Sequence, residues 1–577
     1  MKASDYIASF LKRNGVKYVF GLQGGAVVHL FDSIDATDEI EPVYCHHEQA
    51  AALAAVAHSK VSGNIGCVVV TTGPGSTNTL TGLLAAWQDS IPVIFISGQT
   101  RVEHCSYGKK VRQVGSQEFA IVDAVKTYTK FACCIENSSD IRSIFEKATQ
   151  IAISGRPGPV WIDIPVNLQW QDVDEKFKIV IKKTEIYNED NCEIIINAIK
   201  DSKQPLIVAG YGIHSSNTEN EFLQFITTSN IPYVSTWTAS DLSQTDFLLN
   251  NGVIGVAGQR GANKLMYECD LMICFGTHLS VTHTGNLFDE FAVNSKKIGV
   301  NIDPNQINNY NIKFDHLLAD DLANLLPKLV EKNRINLTEK IWIERCLAYK
   351  KLNSCDHLNN RITIQPYSID SNLFIFTLSK SIPENSNIVI DGGGTALYAG
   401  FQSLLRKKNQ RIICSSAISA MGTGLPEAVG VSLFNRHIDT YCIIGDGSLM
   451  LNLQELQTII YHSLPIKIIV MNNEGYLAIR HTQSEFLGGR YTGTGSTLGI
   501  SFPSIQKLAY AFDFPYLKVS SVEDLQSGIS QIINHKGFMM IEVINPKDQE
   551  MLFQQGFIKQ ENGTNKPHPL SEMRPFI

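Results

Sequence analysis

Four features that would direct a 577-residue chain toward other classes of protein are missing. There is no excess of basic charge: 49 Lys and Arg face 56 Asp and Glu, a formal net charge of −7, so no electrostatic footprint for nucleic acid exists. There is no apolar run of membrane-spanning length, which argues against a transmembrane helix. The 12 cysteines lack the paired spacing of a metal site. Cys67, Cys269, Cys274 and Cys442 instead fall in apolar strand-like runs, where buried free thiols are expected. The first residues, MKASDYIASFLKRNGVKYVFG, lack the basic, apolar and small-residue order of a secretory signal and read as an amphipathic helix entering a strand. A soluble cytoplasmic protein is the expectation, with the sequons at Asn336 and Asn562 read as chance matches.

What is present is alternation. The length exceeds what one core serves. From 1 to 175, apolar runs such as IGCVVVTT and IPVIFISG alternate with helix-length segments such as EQAAALAAVAHSK, the pattern of a parallel sheet covered on both faces. A charged stretch, DVDEKFKIVIKKTEIYNEDN, reads as a linker. The alternation resumes over 188–335 and, beyond a polar connector at 331–365, over 366–550, leaving a polar tail at 551–577 that is expected to lie over another surface. The fold class predicted is α/β, with three doubly wound parallel-sheet domains.

Residues 442–476, CIIGDGSLMLNLQELQTIIYHSLPIKIIVMNNEGY, carry chemistry. A strand runs into a glycine turn, a stretch of helical periodicity follows, and a second strand ends at Asn472 and Asn473. Such a strand–helix–strand unit returns Asn473 to the sheet edge holding Asp446, 27 positions earlier (473 − 446). Open α/β sheets bind ligands beyond the carboxyl ends of their strands, where helix amino termini favour phosphate, and Gly445 and Gly447 would let backbone approach one closely. Asp446 repels a phosphate unless a divalent cation lies between them. One carboxylate, one amide oxygen, a backbone carbonyl and two phosphate oxygens suit Mg²⁺. A GDG turn alone is more often a loop with a solvated Asp; its spacing to NN is the specific feature.

This spacing resembles the thiamine-diphosphate-binding motif of thiamine-dependent enzymes, which begins at GDG and ends at NN. The resemblance implies that Asp446, Asn473 and the Gly475 carbonyl hold Mg²⁺ against the diphosphate, beside Gly445, Gly447 and Ser448. VYCHHEQAAALAAVA resembles the HEQ segment of the acetolactate synthase branch. There Glu48, otherwise readable as a helix-start acid favoured by the dipole, falls on the glutamate that activates the aminopyrimidine ring. In TTGPGSTN, Pro74 and Asn78 match positions near that ring, and Gln117 in VRQVGSQEF matches an active-site glutamine. SSAISAMGTGLPEAVG resembles the family segment ending in MG-x-GLP, which implies Met421 beneath the cofactor and the backbone around Ser419 and Met421 beside the pyrimidine; outside this context Met421 reads as a core plug. DGGGTALYAG resembles the family's loop facing the diphosphate, which implies that Gly393, Gly394 and Thr395 lie closest to it. In this family the two halves of a site come from different subunits, so a homodimer or homotetramer is implied.

The activity implied is thiamine diphosphate- and Mg²⁺-dependent decarboxylation of a 2-oxo acid, pyruvate above all, with carboligation of the two-carbon unit to a second carbonyl compound. Two departures leave alternatives open. Thr482 stands where acetolactate synthases place a tryptophan, and IRHTQ with FLGG looks like a subgroup acting on keto sugars in surface-polysaccharide pathways. Acetyl transfer to a keto sugar nucleotide and simple decarboxylation therefore remain alternatives. In the central block GTHLSVTHTGN departs from the flavin-binding pattern at His278, Ser280, Val281 and Thr282, with His278 readable as a surface or satisfied polar residue. GVAGQRGAN and Asp303 keep FAD compatible with the chain. A non-catalytic regulatory subunit is disfavoured because Glu48, Asp446 and Asn473 are all present.

Overall fold

The computed structural model describes residues 1–173, 188–306, 312–332, 338–353 and 367–575. The apolar runs become three six-stranded parallel sheets. The first contains β1 (Tyr18–Gly21), β2 (Glu41–Tyr44), β3 (Gly66–Val70), β4 (Val93–Gln99), β5 (Phe131–Cys134) and β6 (Val160–Pro165), ordered β2-β1-β3-β4-β6-β5. The second contains β7 (Pro205–Ala209), β8 (Tyr233–Ser235), β9 (Asn250–Val253), β10 (Leu271–Phe275), β11 (Lys296–Asn301) and β12 (His316–Ala319), ordered β12-β11-β10-β7-β8-β9. The third contains β13 (Asn387–Ile390), β14 (Arg411–Ile413), β15 (Thr440–Gly445), β16 (Ile466–Asn472), β17 (Tyr516–Val519) and β18 (Met539–Ile544), ordered β14-β13-β15-β16-β18-β17. Inner strands such as β3 and β4 are buried throughout, whereas the edge strands β2 and β5 are partly exposed. That is the consequence of helices covering both faces. Among the described residues no helix is long and apolar enough to cross a membrane.

Local details differ from the sequence reading. SLMLNLQELQTIIYH is not one helix: it divides into Asp446–Leu449, a 3₁₀ turn at Leu453–Glu455 and Leu456–Tyr461, the break falling at Asn452 with its non-helical φ of −138°. The GDG segment is likewise no free turn, because the helix begins at Asp446 itself. Cys67, Cys274 and Cys442 lie in strands as expected, but buried Cys269 caps the helix Arg260–Glu268. Residues 174–187 of the first linker lie outside the described residues. The second connector carries a helix, Lys340–Lys351, anchored by the buried Trp342, whose Nε1 donates to the Pro205 carbonyl at 2.9 Å. The tail forms two short antiparallel pairings. It reaches the central part through Asn286 and Gln555, and the helix Leu477–Leu487 through Arg574 and Glu485.

The first and third sheets meet through two helices, Glu48–Ser62 and Gly424–Phe434, whose residues share one hydrophobic core. The alanine run in the first and glycine in the second permit backbone contact. A Cβ on Gly430 would stand 2.0 Å from the Ala54 carbonyl oxygen. His58 is fixed by a 3.1 Å hydrogen bond between its Nδ1 and the Gly430 carbonyl. Burial pushes the His58 imidazole down to about 4. Replacing Gly430 with Val forces the helices apart, and the expected cost is about 1–3 kcal/mol. A lowered midpoint in thermal unfolding checks this; an unchanged midpoint would mean the crossing tolerates a side chain.

Candidate functional site

Three neighbouring strands of the third sheet deliver one cluster at their carboxyl ends. β13 sits beside β15 and β15 beside β16, with Gly445 paired to Met471, so the residues following these strands converge. Asp446 is buried; its Oδ1 accepts from the Gly447 N–H at 2.7 Å and its Oδ2 from the Gly475 N–H at 3.0 Å. Burial pushes the Asp446 carboxyl up to about 6, against the lowering effect of those N–H groups and of Arg480. Asn473, also buried, donates from Nδ2 to Thr395 Oγ1 at 2.8 Å, and its Oδ1 accepts from Arg480 Nη2 at 3.5 Å. Thr395 lies in the first turn of the helix Gly394–Ser403.

The glycines have distinct reasons. A side chain on Gly393 would meet Met421 Cγ at 2.7 Å, and one on Gly447 the Tyr476 ring at 2.2 Å. Gly394 adopts φ +58° and faces open space, a cradle at a helix amino end that a Cβ would begin to fill. A Cβ on Gly445 meets only Ser448 Oγ, at 3.9 Å, so close packing does not require that glycine. Ser448 is buried on the short helix after it. Ser419 takes a positive φ of +45° and donates its hydroxyl to the Ser416 carbonyl at 2.6 Å. The following Met421–Gly424 segment is held by Asp391, whose Oδ1 accepts from the N–H groups of Gly422 and Gly424, both at 2.9 Å.

A second cluster forms at the first sheet. Glu48 opens its helix behind the N-cap His47, whose Nδ1 accepts from the Gln49 N–H. Glu48 Oε2 accepts from Asn78 Nδ2 at 2.9 Å, while Oε1 lies near Gly75. Pro74 begins the short helix that ends at Asn78. Gln117 has φ +57°, and its carbonyl accepts from Thr72 at 3.4 Å, so its loop lies over the same strand ends with its side chain exposed. Glu48, Pro74, Asn78 and Gln117 are thus gathered together.

The clusters are tied to one another only through intermediaries. Asn452 donates from Nδ2 to the Gly422 carbonyl at 2.8 Å and approaches Gln49 Oε1 at 3.3 Å, and Glu455 accepts from the His46 N–H at 3.0 Å. Among the described residues no hydrogen bond joins Glu48 to Asp446, Asn473 or Met421. Beside them, Leu80, Met450 and Leu451 are exposed.

Asn452, Glu455, Asp391 and Arg480 escaped the sequence reading. Arg480 donates from Nη2 to the Asn473 carbonyl at 3.1 Å and from Nη1 to the Thr494 carbonyl at 2.9 Å, bracing the end of the motif. Its only signal was its place in the IRHTQ stretch. No group of three His, Cys, Asp or Glu side chains suited to a metal occurs among the described residues. The donors gathered here are a carboxylate and amide and backbone oxygens instead, which fit a hard oxygen-seeking cation such as Mg²⁺ beside a phosphate cradle.

Two cavities adjoin these parts. One of about 1190 Å³ opens beside Glu474, Tyr398 and Arg480 and is bounded by the tail at Gln555 and Arg574. Thr482 lines it and donates to the Ala478 carbonyl at 3.1 Å. The other, about 870 Å³, lies between the first and second sheets, with Arg156, His278 and Asp303 on its walls. His278 is a half-buried residue of this cavity, its imidazole lowered by burial. The GVAGQRGAN loop is absent from that lining; its Arg260 donates to the Met573 carbonyl of the tail at 3.2 Å.

Comparison with known proteins follows these parts. The family model "Thiamine pyrophosphate enzyme, N-terminal TPP binding domain" matches residues 1–125, the family's central domain matches 192–329, and its C-terminal TPP binding domain matches 392–543. The chain is similar to acetolactate synthase isozyme 2 large subunit of Escherichia coli strain K12, 28% identical over 550 residues, covering 94% of this chain and 95% of that one. It is 27% identical over 575 residues to the acetolactate synthase large subunit of Haemophilus influenzae, covering 96% of each. It is 29% identical over 565 residues to a probable acetolactate synthase large subunit of Methanocaldococcus jannaschii, covering 95% of this chain and 93% of that one. With both clusters lying inside the matched N-terminal and C-terminal regions, the chain belongs to the thiamine pyrophosphate enzyme family, in its acetolactate-synthase-like branch.

Proposed function

We propose that the protein decarboxylates a 2-oxo acid, pyruvate foremost, and joins the two-carbon unit to a second carbonyl compound, using thiamine diphosphate and Mg²⁺. The observation that carries this reading is the convergence of Thr395, Asp446 and Asn473 at three adjacent strand ends, with Glu48 held by Asn78 in the other matched region. Asp446, Asn473 and the Gly475 carbonyl would hold the cation, and Gly393 to Thr395 with the turn at Gly445 to Ser448 would receive the diphosphate. Pro74, Gln117, Ser419 and Met421 would border the rings. Bound thiamine diphosphate supplies a nucleophilic carbon and an electron sink for loss of CO₂.

The chain's own residues do the rest. Glu48 exchanges a proton at Oε1, the oxygen that Asn78 does not occupy. Asn78 orients that carboxyl, and Met421, packed on Gly393, would support the cofactor beside the diphosphate cradle. Because Glu48 makes no contact with the Asp446 cluster and Leu80, Met450 and Leu451 lie exposed beside them, the active unit in this reading is a homodimer, with each site built from two chains. The 1190 Å³ cavity, lined by Thr482, has room for an acceptor larger than pyruvate, such as a keto sugar nucleotide. The 870 Å³ cavity with Asp303 at a strand end has the volume for a dinucleotide such as FAD.

Glu48→Gln keeps an oxygen to accept from Asn78 but cannot exchange the proton, so CO₂ release from pyruvate with Mg²⁺ and thiamine diphosphate should fall by about 10²-fold or more. Equal turnover in both proteins would overturn the assignment. Asp446→Asn should raise the Mg²⁺ concentration needed for half-maximal activity by about 10–100-fold, read by titrating metal at saturating cofactor. Mass spectrometry after incubating pyruvate with oxo acids, aldehydes and keto sugars should show an acceptor enlarged by one acetaldehyde equivalent. Condensation of two pyruvates with no keto-sugar product would decide for acetolactate formation.

A further inference from the structure

A third cavity, of about 480 Å³, lies away from both clusters, between the central part and the third sheet. Its walls come from the segment around Ser240–Asn250, the helix Lys340–Lys351, the helix Ser371–Ser381 and the stretch 402–408 that leaves the end of the helix Gly394–Ser403. Arg406 lines it and is only 4% exposed. Its backbone is fixed by Thr245, whose Oγ1 accepts from the Arg406 N–H at 2.8 Å and whose own N–H donates to the Arg406 carbonyl at 2.9 Å. Its guanidinium makes one hydrogen bond, from Nη1 to the Leu404 carbonyl at 3.2 Å. Among the described residues Nε and Nη2 are buried without a hydrogen-bond partner, and Arg406 makes no ion pair, the buried Asp241 acting on it only through space. Ser240 Oγ, in the same lining, is also buried and unpartnered.

A guanidinium removed from water is strongly destabilising unless an anion meets it. The two orphaned nitrogens belong to a planar fork whose geometry matches carboxylate or phosphate oxygens. The remaining charges choose between these. Among the described wall residues Lys350, Lys380, Lys407 and Lys408 join Arg406 against Asp246 and Glu384, and with Asp241 behind Arg406 counted as well the surplus is still larger than one carboxylate would neutralise. Lys407 is occupied, donating to the carbonyls of Lys380 and Ile382 at the end of their helix, and Lys350 donates to the Phe247 carbonyl at 2.7 Å. Lys380 lies over the Phe376 ring at 4.0 Å, and Lys408 is exposed at the rim. Phe376, Val253 and Leu404 supply apolar wall for the body of a ligand.

We propose that this cavity is a binding site for a small organic phosphate, its phosphoryl group on Arg406 and its body against Phe376. The site is independent of the thiamine chemistry. Isothermal titration of the full-length protein with AMP, with glucose 6-phosphate and with inorganic phosphate tests it. At least one of the two esters should bind more tightly than inorganic phosphate, and Arg406→Gln should weaken that binding about ten-fold or more, equivalent to about 1.4 kcal/mol. Arg156→Gln, in the 870 Å³ cavity, should leave the same binding unchanged. Should Arg406→Gln fail to fold, Lys408→Glu at the exposed rim should weaken binding several-fold in a folded protein. Absence of binding by all three probes at millimolar concentration would overturn the proposal. So would binding indifferent to both Arg406→Gln and Lys408→Glu, or binding lost in Arg156→Gln instead.

Discussion

The crossing of the helices Glu48–Ser62 and Gly424–Phe434 governs the relative placement of the first and third sheets. Backbone meets backbone at Ala54 and Gly430, and no side chain cushions the contact. The amino ends of these two helices carry Glu48 and the segment following Met421, so the crossing fixes how the two clusters are spaced within one chain. Around it the chain buries charge that only pairing makes tolerable. Lys60 contacts Asp89 at 2.7 Å with both side chains almost fully enclosed. Burial works against the Lys60 ammonium, but Asp89 and Glu427 outweigh it and hold its pKa above the usual range. Asn452 then stitches the two helix starts, touching Gln49 on one side and Gly422 on the other.

The site itself is a concentration of acids at strand ends. Asp391 and Asp446 follow the neighbouring strands β13 and β15, and burial pushes both carboxyls up to about 6. Each is held by backbone N–H groups rather than by a contacting cation, so the edge keeps oxygen donors with little opposing charge close by. Such an arrangement is stable when a hard cation and a polyanion arrive together, because the metal cancels the repulsion between carboxylate and phosphate. Arg480 contributes at a distance, bracing the Asn473 backbone.

Much of this was legible beforehand because it depends on local periodicity. Unbroken apolar runs bounded by glycine became strands buried on both faces, and the spacing from Asp446 to Asn473 fits one crossover between paired strands. The break at Asn452 was not legible. The apolar spacing from Leu449 to Tyr461 suits a helix, and the side chain that interrupts it is committed to partners 30 and 403 positions away. That His278 lines a cavity between sheets was not legible either, since no window of neighbouring residues reports it.

The sequence by itself determined the element order, the three-sheet plan and the identity of the groups at each strand end, since these follow from residue type and spacing along one chain. Only the tertiary structure decided that Asn78 holds Glu48, that Asp391 clamps the Met421–Gly424 segment, and that Arg406 faces a cavity with two nitrogens unmet. These depend on which distant backbones touch and on which groups lose water when they do, and burial on that scale is a property of the packed molecule rather than of any stretch of it.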